Sequence, residues 1–592
     1  MPADTIPKRL FARASATPSL PAYYVKTGGA WAPTPYDRYA DEVKRAGKAL
    51  MALGIAPGAT VAILGGNRPA WVVAALGCMA VGGVPAGIYA TSAPAEMRYI
   101  LEHTEAAVLF IDSEAQWRKV EAERARLRHL RWTVVMPGAQ VDDPAALGWD
   151  AFLSRGDGVS DADFFARLDA LEPAGLATLI YTSGTTGPPK GVMLSHANLT
   201  YVGQQAIDLA DLRADDRLFS YLPLSHISEQ IFTIYGPITG GAAVSFARSI
   251  ETVPEDLKEV RPTVFFGVPR IWEKFHAALA AGLAEATGSK KLIVEWARSV
   301  GQRATIRRMC GEGMPLGLAF EYRLARRLFF APLKKALGLD RGRLFISGAA
   351  PIAREVLEFF ASVDIVIMEG YGQSENTGSA SLNLAGHVKL GSVGRTVAGI
   401  ELKIAPDGEI LTRGPNVFRG YYKDPAATAD ALVDGWLHSG DLGAIDHDGF
   451  LSITGRKKDI IITAGGKNVS PSNIEGALKN HPLVAEAVVI GDRRKHLTAL
   501  VVLDATAAGA FRAERGLPET APLHDDAAVR AEVQRALDAV NAEMARVEQV
   551  KKFRILPAPF SVETGELTPT LKVKRKVVEE KFAAEIESMY GD

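Results

Sequence analysis

Cysteine is nearly absent from this 592-residue chain: Cys78 and Cys310 stand far apart, with no CxxC pair and no Cys/His spacing. That excludes a disulfide framework and a cysteine-built zinc site, and favours a reducing compartment, so the cytoplasm is the expected location. Net charge is missing as well. With 67 basic against 68 acidic side chains, the chain has no electrostatic footprint for nucleic acid, and no nucleic-acid partner is expected. The first residues, MPADTIPKRLFARASATP, contain no continuous apolar core of the kind a secretory signal needs. One uncharged stretch, residues 71–90, is long enough to suggest a membrane span. Gly77, Gly82, Gly83, Pro85 and Gly87 interrupt it, and its apolar residues are mostly alanine and valine, so it reads as a buried helix followed by a short parallel strand. There are no internal repeats and no low-complexity tract. The length alone implies several domains.

Residues 181–191, YTSGTTGPPKG, are the most informative segment. Glycines let backbone N–H groups approach an anion closely, four hydroxyls (Thr182, Ser183, Thr185, Thr186) add donors, and Lys190 adds a full charge. This is the make-up of a phosphate-holding loop. It lacks the GxxxxGK[ST] order of a Walker A loop, so an ordinary P-loop NTPase is not indicated.

The full string resembles the phosphate-loop signature of the adenylate-forming, AMP-binding superfamily, which includes acyl-CoA synthetases, firefly-type luciferases and adenylation domains of peptide synthetases. Six further segments match that superfamily in order. LPLSHISEQ (222–230) carries His226, which the resemblance places beside the site where carboxylate meets ATP. SGAAP (347–351) follows a short strand, and the backbone of Gly348, Ala349 and Ala350 would flank the adenine. EGYGQSE (369–375) supplies Glu369, Gly370, Tyr371, Gly372, Gln373, Ser374 and Glu375. In it Tyr371 offers a face to the purine, Ser374 a hydroxyl for the α-phosphate and Glu375 a carboxylate oxygen for Mg²⁺. SGDLG (439–443) contains Asp441, suited to the ribose hydroxyls. GRKKDIIITAGGKNVSP (455–471) gives Arg456, a ribose contact, Lys458, the hinge position, and Gly465, Gly466 and Lys467, past which a pantetheine arm would run. Near the C-terminus, GELTPTLKVKRKVV lacks the Ser-Gly that the superfamily places before its catalytic lysine. The Lys-x-x-Arg spacing selects Lys572 with Arg575, with Lys574 and Lys576 as rivals.

The resemblance implies a two-step reaction. A carboxylate attacks the α-phosphorus of ATP to give acyl-AMP and pyrophosphate, and a thiol then expels AMP. Thr182 and Lys190 with the loop Ser183, Gly184, Thr185, Thr186 and Gly187, Mg²⁺ on Glu375, His226 and Lys572 would serve the first step. The C-terminal domain would pivot near Lys458 for the second. FGVPRIWEKF (266–275) resembles the VPRxWEK segment of long-chain enzymes, and 455–471 resembles the bubblegum-type and bacterial long-chain branch. A fatty acid, ATP and CoA are thus the expected substrates. Val268, Trp272 and His226 are expected to line or gate an acyl tunnel, with packed core as the other reading of Trp272.

Three alternatives would each show a mark that this sequence does not. A fatty acyl-AMP ligase would carry an apolar insertion before the C-terminal domain, a peptide-synthetase module would add a carrier domain, and a nucleotide sensor would lack Lys190, Glu375, Asp441 or Arg456. Medium-chain or aryl acids are a further alternative. The oligomeric state is open, a homodimer being one option.

The expected fold is α/β. Short apolar runs alternate with helical patterns over residues 36–400, which predicts two doubly wound subdomains within about 1–391. Asp-Gly turns at 407–408, 434–435 and 448–449 predict hairpins over about 392–455, a small distorted barrel completing an N-terminal domain of 1–455. Residues 456–592 read as a small mobile α+β domain, with a hairpin near 488–502 and a helix on which Val529, Val533, Leu537, Val540, Met544 and Val547 recur at three- and four-residue spacing. The basic helical segment 279–340 is either a solvated face or a surface for anionic lipid, which would make the protein peripheral at a membrane.

Overall fold

The computed structural model describes residues 4–182, 188–465, 467–518, 522–568 and 570–591. Its central feature is a seven-stranded sheet in the order Ala146–Gly148, Trp132–Val135, Val108–Ile111, Thr60–Leu64, Val84–Ile88, Leu176–Thr182, Lys190–Ser195. Every neighbouring pair is parallel except the last. Thr60–Leu64 and Val84–Ile88 are buried at every residue, as strands covered on both faces must be. Between them runs the helix Pro69–Ala80, apolar all round and almost wholly buried. Residues 71–90 are thus a core helix and a parallel strand, and no helix among the described residues is long and apolar enough to cross a membrane.

A second sheet orders Arg217–Ser220, Ala243–Phe246, Pro21–Thr27 and Ala30–Pro35. A third begins with the parallel trio Val264–Gly267, Leu344–Ser347 and Ile367–Tyr371, and ends in the antiparallel pair Ser381–Leu382 and Arg395–Thr396. The SGAAP and EGYGQSE motifs therefore lie at the carboxyl ends of neighbouring parallel strands, with Ser347 opposite Glu369. That is where open α/β sheets bind ligands.

Beyond residue 400 the chain turns antiparallel. Gly408, Gly435 and Gly449 have φ of 86°, 78° and 82°, and each closes a hairpin at one of the three Asp-Gly turns. The strands Glu401–Ile404, Glu409–Arg413, Leu432–Val433, Trp436–Ile445 and Leu451–Arg456 form an open five-stranded sheet. It does not close into the barrel that the hairpin pattern predicts. Leu451–Arg456 pairs with only one strand, so the ladder ends there.

The last part of the chain builds a three-stranded sheet, Val484–Ile490, Leu497–Leu503 and Val550–Ile555, covered on one side by Pro471–Lys479 and Ala527–Glu543. Val529, Val533 and Leu537 are its buried stripe. Polar contacts from this unit to the body include Arg270 with Asp504 (3.4 Å) and Asn480 with Glu355 (3.3 Å), both at exposed positions.

Candidate active site

The strand Leu176–Thr182 leads directly into the phosphate loop, and Lys190 opens the next strand with Thr182 as its register partner. Ser183, Gly184, Thr185, Thr186 and Gly187 lie outside the described residues. The two ends of the loop are therefore clamped by a β-ladder, and Lys190 is aimed from it. Its ammonium lies 4.7 Å from the centre of the Tyr421 ring, and the Tyr421 hydroxyl donates to Glu375 Oε1 at 2.8 Å. Lysine, phenol and carboxylate thus form one chain of contacts. Sequence reading missed Tyr421, although it sits in the aromatic run RGYYKDP (419–425).

Glu375 lies in the short 3₁₀ turn Ser374–Asn376, and its carbonyl accepts the Phe418 N–H at 2.8 Å. No cluster of three or more His, Cys, Asp or Glu able to hold a metal occurs among the described residues. A single carboxylate suits Mg²⁺, which keeps several waters and is commonly bound through one or two carboxylates and substrate phosphates. With one Glu375 oxygen engaged by Tyr421, the other is the protein ligand on offer.

Asp441 is the hub of the nucleotide end. One of its oxygens accepts from the Tyr371 hydroxyl (2.9 Å) and Gln373 Nε2 (2.5 Å), the other from Arg456 Nε (3.0 Å). Arg456 is the register partner of Asp441 across the hairpin, so strand pairing sets the ion pair. Gln373 Nε2 also donates to Ser439 O at 2.9 Å. A carboxylate has about four lone-pair sites, so this one retains an acceptor while its position is fixed. Burial lowers the Arg456 guanidinium's proton affinity, but Asp441 outweighs it and Arg456 ends above its ordinary value. Glycine is required at residue 372, because a Cβ there would come within 2.3 Å of the Gly378 carbonyl carbon. Ala349 takes φ of 69° inside SGAAP, the turn that exposes its backbone.

On the opposite side, His226 caps the short helix Ile227–Gln230, and its Nδ1 accepts the Ser228 N–H at 3.2 Å. Burial and then the Lys572 charge pull this imidazole down to about 4, so it is neutral near pH 7 and carries its proton on Nε2. Farther along the same segment, Phe232 stacks on Phe266 with centroids 4.8 Å apart, and both pack against the core cluster that contains Ile227 and Ile231. Glu369, buried and accepting the Gly391 N–H at 3.0 Å, is raised by burial to about 7. The Ser347 hydroxyl beside it is buried with no hydrogen-bond partner among the described residues. Sequence reading singled out neither Ser347 nor Phe232.

Lys572 joins the two halves. It is presented by a tight loop in which Thr568 N–H donates to Lys572 O (2.8 Å) and Lys572 N–H to Thr568 Oγ1 (3.0 Å). Leu571, immediately before it, has φ of 61°, the left-handed region that glycine favours. A leucine therefore holds here the conformation that the missing Gly would adopt freely. Lys572 is exposed, and its charge is within electrostatic reach of Arg456, Asp441, Glu375 and His226. It is lowered below the ordinary lysine value, first by burial and then by Arg456, with Asp441 and Glu375 opposing. Of the rivals, Lys574 stands at the N-cap position of the helix Arg575–Lys581 without a side-chain capping bond, and exposed Lys576 faces Glu580 one turn along that helix. Arg575 is turned inward onto Val489 O (2.7 Å) and Glu475 (2.6 Å), an anchor of the C-terminal unit.

Other predicted residues lie apart. Lys458 is exposed, next to Lys457, which is tied to Asp407 (2.6 Å) and Glu409 (3.2 Å). Gly465 and Lys467 sit on an exposed two-stranded hairpin, where Thr463 N–H donates to Lys467 O at 3.0 Å, and Gly466 lies outside the described residues. Val268 is half-buried at the start of the helix Pro269–Ala284. Trp272 is fully buried, its indole N–H donates to Gly267 O (3.1 Å) and Ile346 O (3.3 Å), and Phe265, Phe345 and Phe360 pack edge-on around it. Those are the surroundings of packed core, not of a gate that swings.

Tyr421→Phe removes the donor to Glu375 while keeping the ring under Lys190. The expected result is a three- to tenfold drop in kcat/KM for ATP at fixed Mg²⁺, about 1 kcal/mol, with little change in KM for the acid. Steady-state kinetics with each substrate varied in turn tests it, and an unchanged value for ATP would remove Tyr421 from the site.

Lys190, Tyr421 and Glu375 form one chain of contacts and Asp441, Tyr371, Gln373 and Arg456 another, with Lys572 within electrostatic reach of Glu375, Asp441 and Arg456. The chain belongs to the AMP-binding enzymes: that family's model matches residues 10–422, and the model of the AMP-binding enzyme C-terminal domain matches 458–592. It is 36% identical to the long-chain-fatty-acid–CoA ligase FadD15 of Mycobacterium tuberculosis, over 99% of this chain and 97% of that protein. It is 35% identical to the human long-chain-fatty-acid–CoA ligase ACSBG2, over 99% of this chain and 92% of that one. Among solved structures, the anthranilate CoA ligase AuaEII with anthranoyl-AMP superposes with a TM-score of 0.72 at 20% identity, covering 100% of this chain and 99% of that one. The Mycobacterium tuberculosis fatty acyl CoA synthetase superposes with a TM-score of 0.62 at 23% identity, covering 98% and 99%.

Proposed function

We propose that this chain is an ATP-dependent, AMP-forming ligase that joins long-chain fatty acids to CoA. The observation that carries the reading is the convergence of Lys572, from the last 25 residues of the chain, on Glu375, Asp441, Arg456 and His226. A carboxylate is a poor electrophile, and its attack on the α-phosphorus builds negative charge on phosphoryl oxygens. Lys572, Lys190 and the phosphate loop would supply preorganised positive charge to meet it. Asp441 and Arg456 would hold the ribose, and Tyr371 and the SGAAP backbone the adenine. Glu375 would hold Mg²⁺, whose charge would offset part of the charge on the phosphates. Neutral His226 would border the reacting carboxylate without repelling Lys572.

Ile227, Ile231, Phe232 and Phe266 replace Trp272 as the proposed start of the acyl wall. The long-chain preference is supported by the named relatives and by the VPRIWEK segment. We also propose that residues 456–592 pivot about Lys458, anchored on the N-terminal side by Lys457, so that the 463–468 hairpin replaces Lys572 for thioester formation. The sparse, exposed polar contacts of that unit favour such a motion. The reading includes a cytoplasmic location; peripheral membrane attachment and a homodimer remain compatible with it.

The test is release of pyrophosphate and AMP with ATP, Mg²⁺ and acids from acetate to arachidate, with and without CoA. AMP formation that needs CoA and peaks at long chains is expected. Adenylate that accumulates and ignores CoA would make the protein a carrier-loading ligase, and silence toward every acid would overturn the enzyme reading.

A further inference from the structure

Glu229, three residues beyond His226, is only 2% exposed and makes no ion pair among the described residues. A carboxylate so enclosed is costly unless hydrogen bonds hold it. Its Oε1 accepts from the Ser220 hydroxyl (2.7 Å), the Thr233 hydroxyl (2.7 Å) and Asn67 Nδ2 (3.2 Å), and the backbone N–H groups of Leu222 and Tyr221 also donate toward the carboxyl. Burial raises this acid to about 7, and the donors oppose the rise. Asn67 follows the strand Thr60–Leu64 of the central sheet, Ser220 ends a strand of the second sheet, and Thr233 lies in the π turn Ile231–Tyr235. One carboxyl therefore ties together three separate parts of the chain around the segment that leads to His226.

That segment has little regular structure of its own. The helix that His226 caps, Ile227–Gln230, is a single turn, too short to fix its own position. Side chains hold it instead. Leu224 gives its N–H to Asn67 Oδ1 (3.1 Å), its carbonyl accepts from Gln230 Nε2 (2.7 Å), and the Tyr235 hydroxyl donates to Gln230 Oε1. Asn67 Nδ2 donates to Ser220 Oγ at 2.9 Å as well as to Glu229, so this amide serves both while its oxygen holds Leu224. The strand Val84–Ile88 packs so closely on the turn that a Cβ at Gly87 would stand 2.9 Å from Ser225 Cα. The turn is thus packed by backbone and tied by side chains.

We infer that Glu229 is a positioning residue for the carboxylate-binding end of the site: with Asn67 and Ser220 it fixes the 221–225 turn and so sets where the His226 imidazole stands. The role of His226 in this inference rests on the ligase reading; the network itself does not. An acid is required at 229 by the donors around it. Ionised, its side chain only accepts, and Asn67 Nδ2 and the two backbone N–H groups only donate, whereas a glutamine would turn donors of its own on them. The Asn67 amide cannot flip to relieve this, since its oxygen is held by the Leu224 N–H. Displacing a positioned group by about 1 Å can cost about 10²-fold in rate, so a small shift of the turn is enough to matter.

The test is acid-dependent pyrophosphate release by the full chain with ATP, Mg²⁺ and palmitate, each substrate varied in turn. Glu229→Gln should lower kcat about thirtyfold and leave KM for ATP within about twofold, since Asp441, Arg456 and Lys190 stand on other elements. Asn67→Asp alone should be comparably damaging, because two carboxylates then face each other. The double variant, Glu229→Gln with Asn67→Asp, should recover about tenfold: the hydrogen bond survives with donor and acceptor exchanged, and the new carboxylate still accepts the Leu224 N–H. Thr233→Val removes one hydroxyl donor with little change of shape, and should lower kcat about threefold at an unchanged melting temperature. The inference is overturned if Glu229→Gln keeps the wild-type kcat, if the double variant recovers nothing, or if the loss of kcat comes with an equally large rise in KM for ATP. Where Glu229→Gln does not fold, Thr233→Val decides, and an unchanged kcat overturns the inference. A wild type that releases no pyrophosphate with any acid sinks the ligase reading and this inference with it, whereas an active wild type with indifferent variants sinks the inference alone.

Discussion

Replacing Lys572 with alanine should lower acid-dependent pyrophosphate release about 10²- to 10³-fold, the size expected when one preorganised charge is taken from a phosphoryl-transfer site. Thioester formation from synthetic acyl-AMP and CoA should stay within a few-fold of wild type, because in that step the lysine is proposed to have left. The same residue sets a pH dependence. The ammonium, not the amine, stabilises the developing charge, and burial followed by Arg456 holds its proton affinity below that of an ordinary lysine. Adenylation should therefore fall as pH rises through that lowered value, while Lys572→Arg, whose charge persists, should flatten the alkaline limb at reduced rate. His226, already neutral well below pH 6, adds no limb near neutrality. Adenylation left intact in Lys572→Ala would transfer the role to Lys574 or Lys576 and dissolve the main support for the site. Rapid-quench measurement of each half-reaction separates the cases.

Trp272→Ala should cost about 3–5 kcal/mol of stability, as large-to-small changes at fully buried aromatic positions do. The indole is wholly enclosed and holds two strands together: its N–H donates to Gly267 O in one strand and to Ile346 O in the next. Removing it opens a cavity among Phe265, Phe345 and Phe360 and leaves those carbonyls short of a donor. A lower melting temperature, a lower urea midpoint and poor soluble yield are expected, with the acyl-length preference of the surviving enzyme unchanged. A gate would behave in the opposite way, with stability kept and the chain-length profile shifted. A fully stable Trp272→Ala with altered length preference would restore the tunnel reading.

The contrast between these two residues shows where sequence was legible. Local conformation was readable because its causes lie within a few residues. Asp-Gly pairs closed all three hairpins, the charge-free stretch 71–90 resolved into helix and parallel strand, and the phosphate loop sits between two paired strands. The closed barrel did not appear, since closure depends on the first and last strands of the sheet meeting, and no dipeptide encodes that. Trp272 was ambiguous for the same reason: VPRIWEK states that a tryptophan is present, not which rings surround it.

By itself the sequence determined the family's motifs and their order, the chemical groups those motifs carry, and the α/β alternation. Tertiary structure alone decided how those groups meet. It joined Asp441 to Tyr371, Gln373 and Arg456, and placed Tyr421 between Lys190 and Glu375. It also put Lys572 on a loop whose Leu571 takes a glycine-like φ, and the neighbouring Lys574 and Lys576 at the start of the helix that follows. The physical reason is separation along the chain. Spacing of three or four residues fixes a face or a turn, but Lys572 is nearly 200 residues from Glu375, and only the packing of the intervening units brings ammonium and carboxylate within each other's field.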